Sequence, residues 1–169
     1  MASQIIEISA VDPCPDKRGV DLIDLLQIVK PQGPDLLWAF YPMGEPTEIT
    51  GNLAPVGRDS SSLSEEITAS VAGVRVSWQE LLNVAKYIET TWATVVACEN
   101  ASDFALLRTL YLDSWMYIDR VSPQYYDVTR MAFQCVDGEC WLVYVSEESI
   151  KEKIRQKFSC SGTVNSNLG

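Results

Sequence analysis

The hydrophobic positions of this chain recur with two different periods, and each period predicts a different kind of element. Between residues 20 and 30 the apolar side chains follow the 3.6-residue spacing of an amphipathic helix. These side chains are Leu22, Leu25, Leu26 and Val29. A second helix is predicted from residue 78, because Ser77 followed by Glu80 forms a capping-box pattern ahead of further apolar positions at helical spacing.

Two more helices are indicated in the second half of the chain. One is predicted to begin at Ser102 and to continue to about Leu112. The other is predicted after Ser146, with glutamates in its first turn and basic residues in its last, as the helix dipole favours. Three or four helices are therefore expected in all.

Shorter apolar runs predict strands, and they alternate along the chain with turn-forming segments. The predicted strands cover residues 4–11, 35–41, 47–53, 66–76 and 91–98. Residues 114–119 either continue the preceding helix or form a strand, and their aromatic content favours the strand. The run at 91–98 is apolar on both faces, which is typical of a covered, central strand. Loops are predicted at 12–16, which contains two prolines, and at 57–62, which has no apolar anchor and which we expect to be mobile.

A hairpin is predicted from two strands, at 127–136 and 139–146, joined by the dipeptide Asp137-Gly138. A two-residue turn pairs Cys135 with Cys140 directly across the hairpin. It also predicts which side chains share one face of the hairpin: Met131, Phe133, Cys135, Cys140, Leu142 and Tyr144.

These elements predict an α+β fold. We expect a largely antiparallel, or mixed, sheet with three to four helices packed mainly on one face. Residues 1–158 are predicted to form a single globular domain, and residues 159–169 a polar, flexible C-terminal tail. At least three of the five tryptophans are expected in the core.

Charge narrows the range of partners. The 169-residue chain has 23 acidic and 13 basic residues, a formal net charge of −10. Such a chain repels nucleic acids and anionic membranes, so we expect neither as a partner, and it associates faster with a basic protein. The alternative is that the acidic residues serve solubility alone. A cytoplasmic location is expected, because the N-terminus lacks a secretory pattern, no apolar run approaches about 18 residues, and the five cysteines form no disulfide framework.

The absence of histidine excludes most common hydrolytic mechanisms. No Ser-His-Asp triad, Cys-His pair or histidine-containing zinc site can be built. Phosphate-binding glycine motifs are also missing from the sequence. We therefore predict no catalytic, cofactor-binding or metal-binding residues, and a function that does not require enzymatic chemistry.

Two groups of residues are candidates for a role beyond the fold. The acidic side chains Asp21, Asp24, Glu65 and Glu66 are candidates for contacting a basic partner. Cys135 and Cys140, opposed across the predicted hairpin, are a candidate redox pair. The alternative for the cysteines is that two small apolar side chains pack together in a reduced core.

The run Ser77-Trp78-Gln79-Glu80-Leu81-Leu82, followed by a strand and by the hairpin Val136-Asp137-Gly138-Glu139-Cys140-Trp141, resembles small bacterial proteins. Some proteins of this general type are immunity proteins of polymorphic toxin systems. The resemblance covers the C-terminal half, and it carries over no toxin-contacting residue. It implies a non-enzymatic, protein-binding module that neutralises a basic partner. The alternatives are a small-ligand-binding or weakly catalytic domain with an aromatic-lined pocket, and a homo-oligomeric structural protein.

Overall fold

The computed structural model describes residues 4–9, 19–42, 48–50, 60–70, 73–87, 89–91, 93–110, 117–158 and 160–165. Six α-helices lie within these ranges: α1 (Leu22–Val29), α2 (Ser60–Ala69), α3 (Trp78–Tyr87), α4 (Ala101–Leu110), α5 (Pro123–Val128) and α6 (Glu148–Lys157). The strands are β1 (Gln4–Ser9), β2 (Leu37–Pro42), β3 (Glu48–Thr50), β4 (Val74–Val76), β5 (Glu89–Thr91), β6 (Ala93–Cys98), β7 (Met131–Val136), β8 (Cys140–Val145) and β9 (Cys160–Asn165).

Seven of the strands form one sheet in the order β4-β2-β6-β7-β8-β1-β9, and β3 pairs with β5 in a small second sheet. Every described pairing is antiparallel. The α+β class and the antiparallel sheet predicted from the sequence are therefore confirmed. The strand predicted at 91–98 is also confirmed as β6, which lies inside the sheet between β2 and β7.

The sheet has a core on each face, because alternate side chains of its strands point to opposite sides. Helices α1, α2, α3 and α6 cover one face, which we call the aliphatic face, and their side chains join a cluster that includes Trp38, Phe133 and Trp141. Helices α4 and α5 cover the other, which we call the tyrosine face because it includes Tyr41, Tyr125, Tyr126 and Tyr144. Four of the six described helices thus share one face, which agrees with the predicted packing mainly on one side. The expected number of three to four helices is exceeded, and α4 lies on the face opposite the other predicted helices.

The predicted capping box is confirmed for α3, whereas the predicted Ser146 cap of α6 is wrong, because the N-cap residue of that helix is Glu147. Leu22, Leu25, Leu26 and Val29 are the buried residues of α1. The backbone N–H of Asp21 donates to the Asp24 carboxylate at 2.9 Å. Before α3, the Ser77 N–H donates to Glu80 at 2.8 Å and the Glu80 N–H donates to the Ser77 hydroxyl at 3.2 Å, which completes the predicted capping box.

A buried glutamine organises the tyrosine face. Gln134, which is fully buried, accepts the Ile118 backbone N–H at 2.9 Å and donates to the Thr94 hydroxyl at 2.8 Å. The Tyr126 hydroxyl donates to the Ile118 carbonyl, and the Tyr144 hydroxyl donates to the Tyr126 carbonyl at 3.2 Å. These bonds attach the turn around Ile118 to the sheet, where the sequence predicted a strand at 114–119; its residues 114–116 lie outside the described ranges.

Helix α2 corrects two predictions at once. The predicted mobile loop at 57–62 and the predicted strand at 66–76 both overlap Ser60–Ala69, which is helical. Leu63 and Ile67, four residues apart, are both buried in the core of the aliphatic face. One turn of helix brings them to the same side, and burying both outweighs the low helix propensity of the serines. Among the described residues of the predicted strand, which leave out 71 and 72, Val74–Val76 form a strand after Gly73.

The hairpin exists, but its predicted register is wrong by one residue. Val136 pairs with Cys140 and Cys135 pairs with Trp141, so Glu139 is an additional turn residue. Asp137 and Gly138 both adopt positive φ angles, of 52° and 68°, and the Glu139 N–H donates to the Val136 carbonyl at 2.9 Å. A slip of one residue exchanges the two faces of β8, so Leu142 and Tyr144 lie on the tyrosine face.

Two chain segments differ further from their predictions. The segment predicted as a polar tail contains β9, which pairs with β1 through backbone hydrogen bonds that require no apolar side chains. Helix α4 is capped by Asn100 rather than by Ser102, since the Asp103 N–H donates to the Asn100 side chain at 3.0 Å. The loop predicted at 12–16 lies outside the described residues.

Candidate functional site

An open groove of about 520 Å³ lies at one end of the seven-stranded sheet. Segments that are far apart in the sequence converge there: the turn after α1, the end of β6, the start of β7 and the start of α6. Its lining residues are Gln32, Asp35, Leu36, Glu99, Arg130, Met131, Ser146 and Glu147. Its volume lies within the range of roughly 300–1,000 Å³ that is usual for ligand sites in proteins.

The backbone of Arg130 is held in place by hydrogen bonds to both neighbouring segments. Its N–H donates to the Ala97 carbonyl at 2.8 Å, and its carbonyl accepts the Ser146 N–H at 2.9 Å. These bonds continue the ladders of β6, β7 and β8 by one residue beyond the strands. Arg130 is therefore held from both sides, and its side chain projects from a rigid base.

The turn that carries Asp35 is also held firmly. The indole N–H of Trp38 donates to the Gly33 carbonyl at 2.8 Å. A Cβ atom on Gly33 would lie only 2.4 Å from the ring of Trp78, so a side chain at this position would displace that ring. The Trp38 and Trp78 rings lie 5.5 Å apart. This close packing holds the segment directly before β2 in place. Asp35 and Leu36 belong to this segment, so their side of the groove is held as well.

Carboxylates dominate the charge of the groove. Asp35, Glu99 and Glu147 line the groove together with one cationic side chain, Arg130. The Arg130 guanidinium contacts the Glu99 carboxylate at 2.5 Å, and these side chains are 47% and 55% exposed. An ion pair with that much water around it contributes little to stability. The lining as a whole retains a net negative charge. Its apolar members are the buried Met131 and the partly buried Leu36.

Glu147 is held in its charged form. Hydrogen bonds from the Ser149 hydroxyl and from the Gln32 amide lower the pKa of the Glu147 carboxyl below its usual value. The Gln32 bond is 2.5 Å long and joins the segment after α1 to the start of α6. This carboxylate is therefore both ionised and oriented at neutral pH, although it is exposed to solvent.

The structure places the predicted acidic residues elsewhere. Asp21 and Asp24 lie at the first turn of α1, where Asp24 accepts a backbone N–H, while the groove adjoins the segment after that helix. Glu65 and Glu66 are exposed on α2. None of the four lines the groove, and the carboxylates that do, Asp35, Glu99 and Glu147, belong to no recognisable sequence motif.

The one-residue change of register removes the geometric basis of the candidate redox pair. Cys135 belongs to the core of the aliphatic face, whereas Cys140 pairs with Val136, whose side chain packs against the tyrosine face. Their side chains therefore point to opposite sides of the sheet. Burial raises the pKa of the Cys135 thiol to about 11, and burial also raises the pKa of the Cys140 thiol. Both are thiols at neutral pH, and both are free.

Two of the three tryptophans with described side chains are buried in the core. Trp38 and Trp141 are buried, and Trp78 packs against the same cluster while it is partly exposed. Trp92 and Trp115 lie outside the described side chains. The indole N–H of Trp141 donates to the Val20 carbonyl at 2.8 Å, which attaches the segment before α1 to β8. These rings therefore support the core of the aliphatic face.

Comparisons with protein-family models, with curated proteins and with solved structures yield no match for this chain. Within the described ranges, no three metal-ligating side chains are grouped so that they could hold an ion. None of the helices in those ranges has the length and apolar character needed to cross a bilayer. The groove is accordingly interpreted from its own residues alone.

Proposed function

We propose that this protein is a non-enzymatic, immunity-like binding module that neutralises a basic protein partner, and that the groove beside Arg130 is its contact site. The observation that carries the proposal is the lining of the groove. The lining contains three carboxylates and one guanidinium together with the apolar side chains of Leu36 and Met131. A basic side chain fits such a surface, because its aliphatic stem covers apolar groups while its charged end reaches the carboxylates.

The charge of the whole chain supports the same proposal. A net charge of −10 attracts a basic protein over several ångströms before contact. The long-range field then sets the rate of encounter, while the groove sets the contact geometry. The rigid backbone beneath Arg130 and the packed Gly33 turn keep that geometry formed before binding, which reduces the conformational entropy lost on association.

The test begins with the immobilised protein and a lysate of its natural host. A basic protein that is retained at low salt and released at high salt is then purified, and its association rate is measured against ionic strength. We expect the rate to fall steeply as salt increases. The double variant Asp35→Asn/Glu147→Gln should weaken binding by about 10-fold or more, because two charges facing the partner are lost.

The matched control removes the same amount of charge at the other end of β7. Asp137→Asn/Glu139→Gln neutralises two carboxylates in the hairpin turn, and asparagine tolerates the positive φ of residue 137. This variant should slow association modestly and leave the dissociation rate unchanged. Equal weakening by the two double variants would contradict the groove as the contact site, and tight binding that is indifferent to salt would contradict the electrostatic proposal.

The volume of the groove favours a second candidate, a small-ligand-binding domain. About 520 Å³ suits a metabolite-sized molecule. A ligand that binds only the folded state raises the melting temperature. A metabolite that raises Tm in the wild type, and not in the Asp35→Asn/Glu147→Gln variant, would favour this second function over the first.

A further inference from the structure

The two edges of the seven-stranded sheet are built differently. The described strand order runs from β4 at one edge to β9 at the other. β4 has three residues, and the exposed, positively charged Arg75 lies at its centre. Short length and charged side chains are two means by which natural sheets keep other strands from pairing with an edge. β9 has six residues, Cys160–Asn165, and none of them is charged or a proline.

The regular part of β9 is long enough to pair on its outer side. Four consecutive residues of β1, Gln4 to Glu7, pair with residues 162–165 of β9 without a break. A register shift, with Ser161 as the additional residue, lies at the other end of the strand. In an antiparallel ladder, about half of the backbone N–H and C=O groups of an edge strand point away from its partner. The backbone of β9 can therefore hydrogen-bond a further strand.

A carboxylate lies one strand inward from this edge. Glu7 is paired with Gly162, and it shares the tyrosine face with Ile5, because alternate residues of a strand point to the same side. Gly162 has no side chain, so the residue of β9 that pairs with Glu7 adds no side chain to that face. Glu7 is partly buried, and its charge is therefore screened less than that of a fully exposed carboxylate.

We infer that the outer edge of β9 binds an extended, basic segment of a partner protein as an eighth strand of the sheet, with a lysine or arginine opposite Gly162. Residues paired across neighbouring strands have their side chains on the same face. The basic side chain then lies on the face of Glu7, two strand spacings or about 10 Å away. An extended lysine or arginine side chain and a glutamate side chain together span this distance.

This contact is compatible with the other interactions of Glu7. A carboxylate offers about four acceptor positions, so Glu7 can accept the new donor in addition to its interactions within the chain. The added strand itself is held by its backbone hydrogen bonds to β9, and the ion pair fixes its register. The binding surface thus recognises an extended backbone and one basic side chain at a defined position.

Charge favours a basic segment over a second copy of this chain. Each copy has a net charge of −10, so two copies repel each other, whereas a basic segment is attracted. The edge at β4 does not suit the same ligand, because Arg75 repels it. The described lining of the groove beside Arg130 comes from neither β1 nor β9. The edge is therefore a second binding surface, and neither surface depends on the other.

The test uses an acetylated heptapeptide amide of alternating lysine and valine, titrated into the full chain at low salt and followed by NMR. A second peptide has glutamate in place of lysine, and a third keeps the lysines but carries an N-methyl group on every residue, so that its backbone cannot donate hydrogen bonds. We expect the lysine peptide to bind and to slow hydrogen exchange of the outward-facing amides of β9. The other two peptides should bind at least about 10-fold more weakly.

A pair of variants tests the role of Glu7. Glu7→Gln should weaken binding of the lysine peptide by roughly 3- to 10-fold, because the charge that faces the added strand is lost. The matched control is Glu152→Gln, which removes an exposed carboxylate of α6 on the opposite face of the sheet. It changes the net charge equally and should weaken binding by less than about 2-fold.

The outcomes distinguish the edge from the groove. Binding that Asp35→Asn/Glu147→Gln weakens and Glu7→Gln does not, without protection of β9, would overturn the edge site and leave the groove in place. Equal affinity for the lysine and N-methylated peptides, equal weakening by Glu7→Gln and Glu152→Gln, or no binding of any peptide would also overturn the edge site. Sedimentation of the free chain as a dimer with protected β9 amides would replace the basic segment by a second copy.

Discussion

On the aliphatic face of the sheet, the side chains of four helices pack against those of the strands. On the tyrosine face, α4 and α5 also pack through apolar side chains, and buried hydroxyl and amide groups additionally bond α5 and the turn around Ile118 to the sheet. Leu26, with no exposed surface, is typical of the first face, and Gln134, equally buried, is typical of the second. The first face depends on filled volume, and the second depends on satisfied hydrogen bonds. Substitutions should therefore destabilise the two faces by different mechanisms.

The largest effect is expected on the aliphatic face. Leu26→Ala should lower the free energy of unfolding by about 2–5 kcal/mol, because it removes buried methyl groups and leaves a cavity. The matched control is Leu106→Ala, since Leu106 is 47% exposed and should cost about 0.5 kcal/mol or less. Urea unfolding monitored by tryptophan fluorescence measures both. Similar losses for the two leucines would show that this face is not packed as described.

A smaller effect, of a different origin, is expected on the tyrosine face. Gln134→Leu preserves volume but leaves the Ile118 N–H and the Thr94 hydroxyl without their bonds, which should cost about 1–3 kcal/mol. The double variant Gln134→Leu/Thr94→Val should cost less than the sum of the single variants, because the second substitution removes an unsatisfied hydroxyl. Strict additivity in the urea experiment would contradict the hydrogen-bond account.

Helix N-caps should contribute equally to the free energy of unfolding on the two faces of the sheet. Ser77→Ala affects α3 on the aliphatic face and Asn100→Ala affects α4 on the tyrosine face, and each should cost about 1 kcal/mol. Ser77→Asp retains a capping oxygen and should restore most of the loss at that site. A clear difference between the two alanine variants would mean that the faces differ in local as well as in tertiary interactions.

The smallest effect at neutral pH is expected for chemical modification of the cysteines. Cys98 and Cys135 lie on different faces of the sheet, but burial affects their thiols in the same way. Burial raises the pKa of Cys98 on the tyrosine face to about 12 and that of Cys135 on the aliphatic face to about 11. Thiolates are the reactive form, so at pH 8 iodoacetamide should modify both sites slowly in the native protein and the half-buried Cys140 first. Peptide mass spectrometry before and after urea unfolding provides the site-by-site measurement.

The raised pKa values of Cys98 and Cys135 determine how the stability of the fold changes with pH. The unfolded chain loses thiol protons near pH 9, while the folded chain keeps them until about pH 11 for Cys135 and about pH 12 for Cys98. Stability from these groups is therefore complete below pH 9 and decreases as the pH rises above it. Cys98→Ala should make that decrease shallower in urea titrations between pH 8 and 10, and an unchanged slope would contradict the burial of Cys98.

The sequence predicts elements best where local chemistry determines them. Leu22 to Val29 and the Ser77–Glu80 capping box are recognisable because each signal lies within a few residues. The hairpin register is different, since both faces of β7 and β8 are covered by helices. Either register buries apolar side chains, so the pattern does not distinguish Cys140 from Trp141 as the partner of Cys135.

The groove has no local signal at all. Asp35, Glu99 and Glu147 come from separate segments, and each is an ordinary polar residue at the end of an element in the sequence. The order of the strands brings them together, because β6 and β7 are neighbours and α6 follows β8 directly. Long-range pairing of this kind cannot be read from periodicity or composition.

The position of β1 has a consequence for synthesis on the ribosome. This strand precedes every other described strand in the chain, yet in the sheet it lies between β8 and β9, and the earlier of these partners begins at Cys140. At about 5–20 residues per second, the emerging strand waits several seconds or more before that partner is synthesised. Ile5, Ile6 and Ile8, which are buried in the folded protein, lack this strand partner during that interval, when an unpaired strand can pair with another chain.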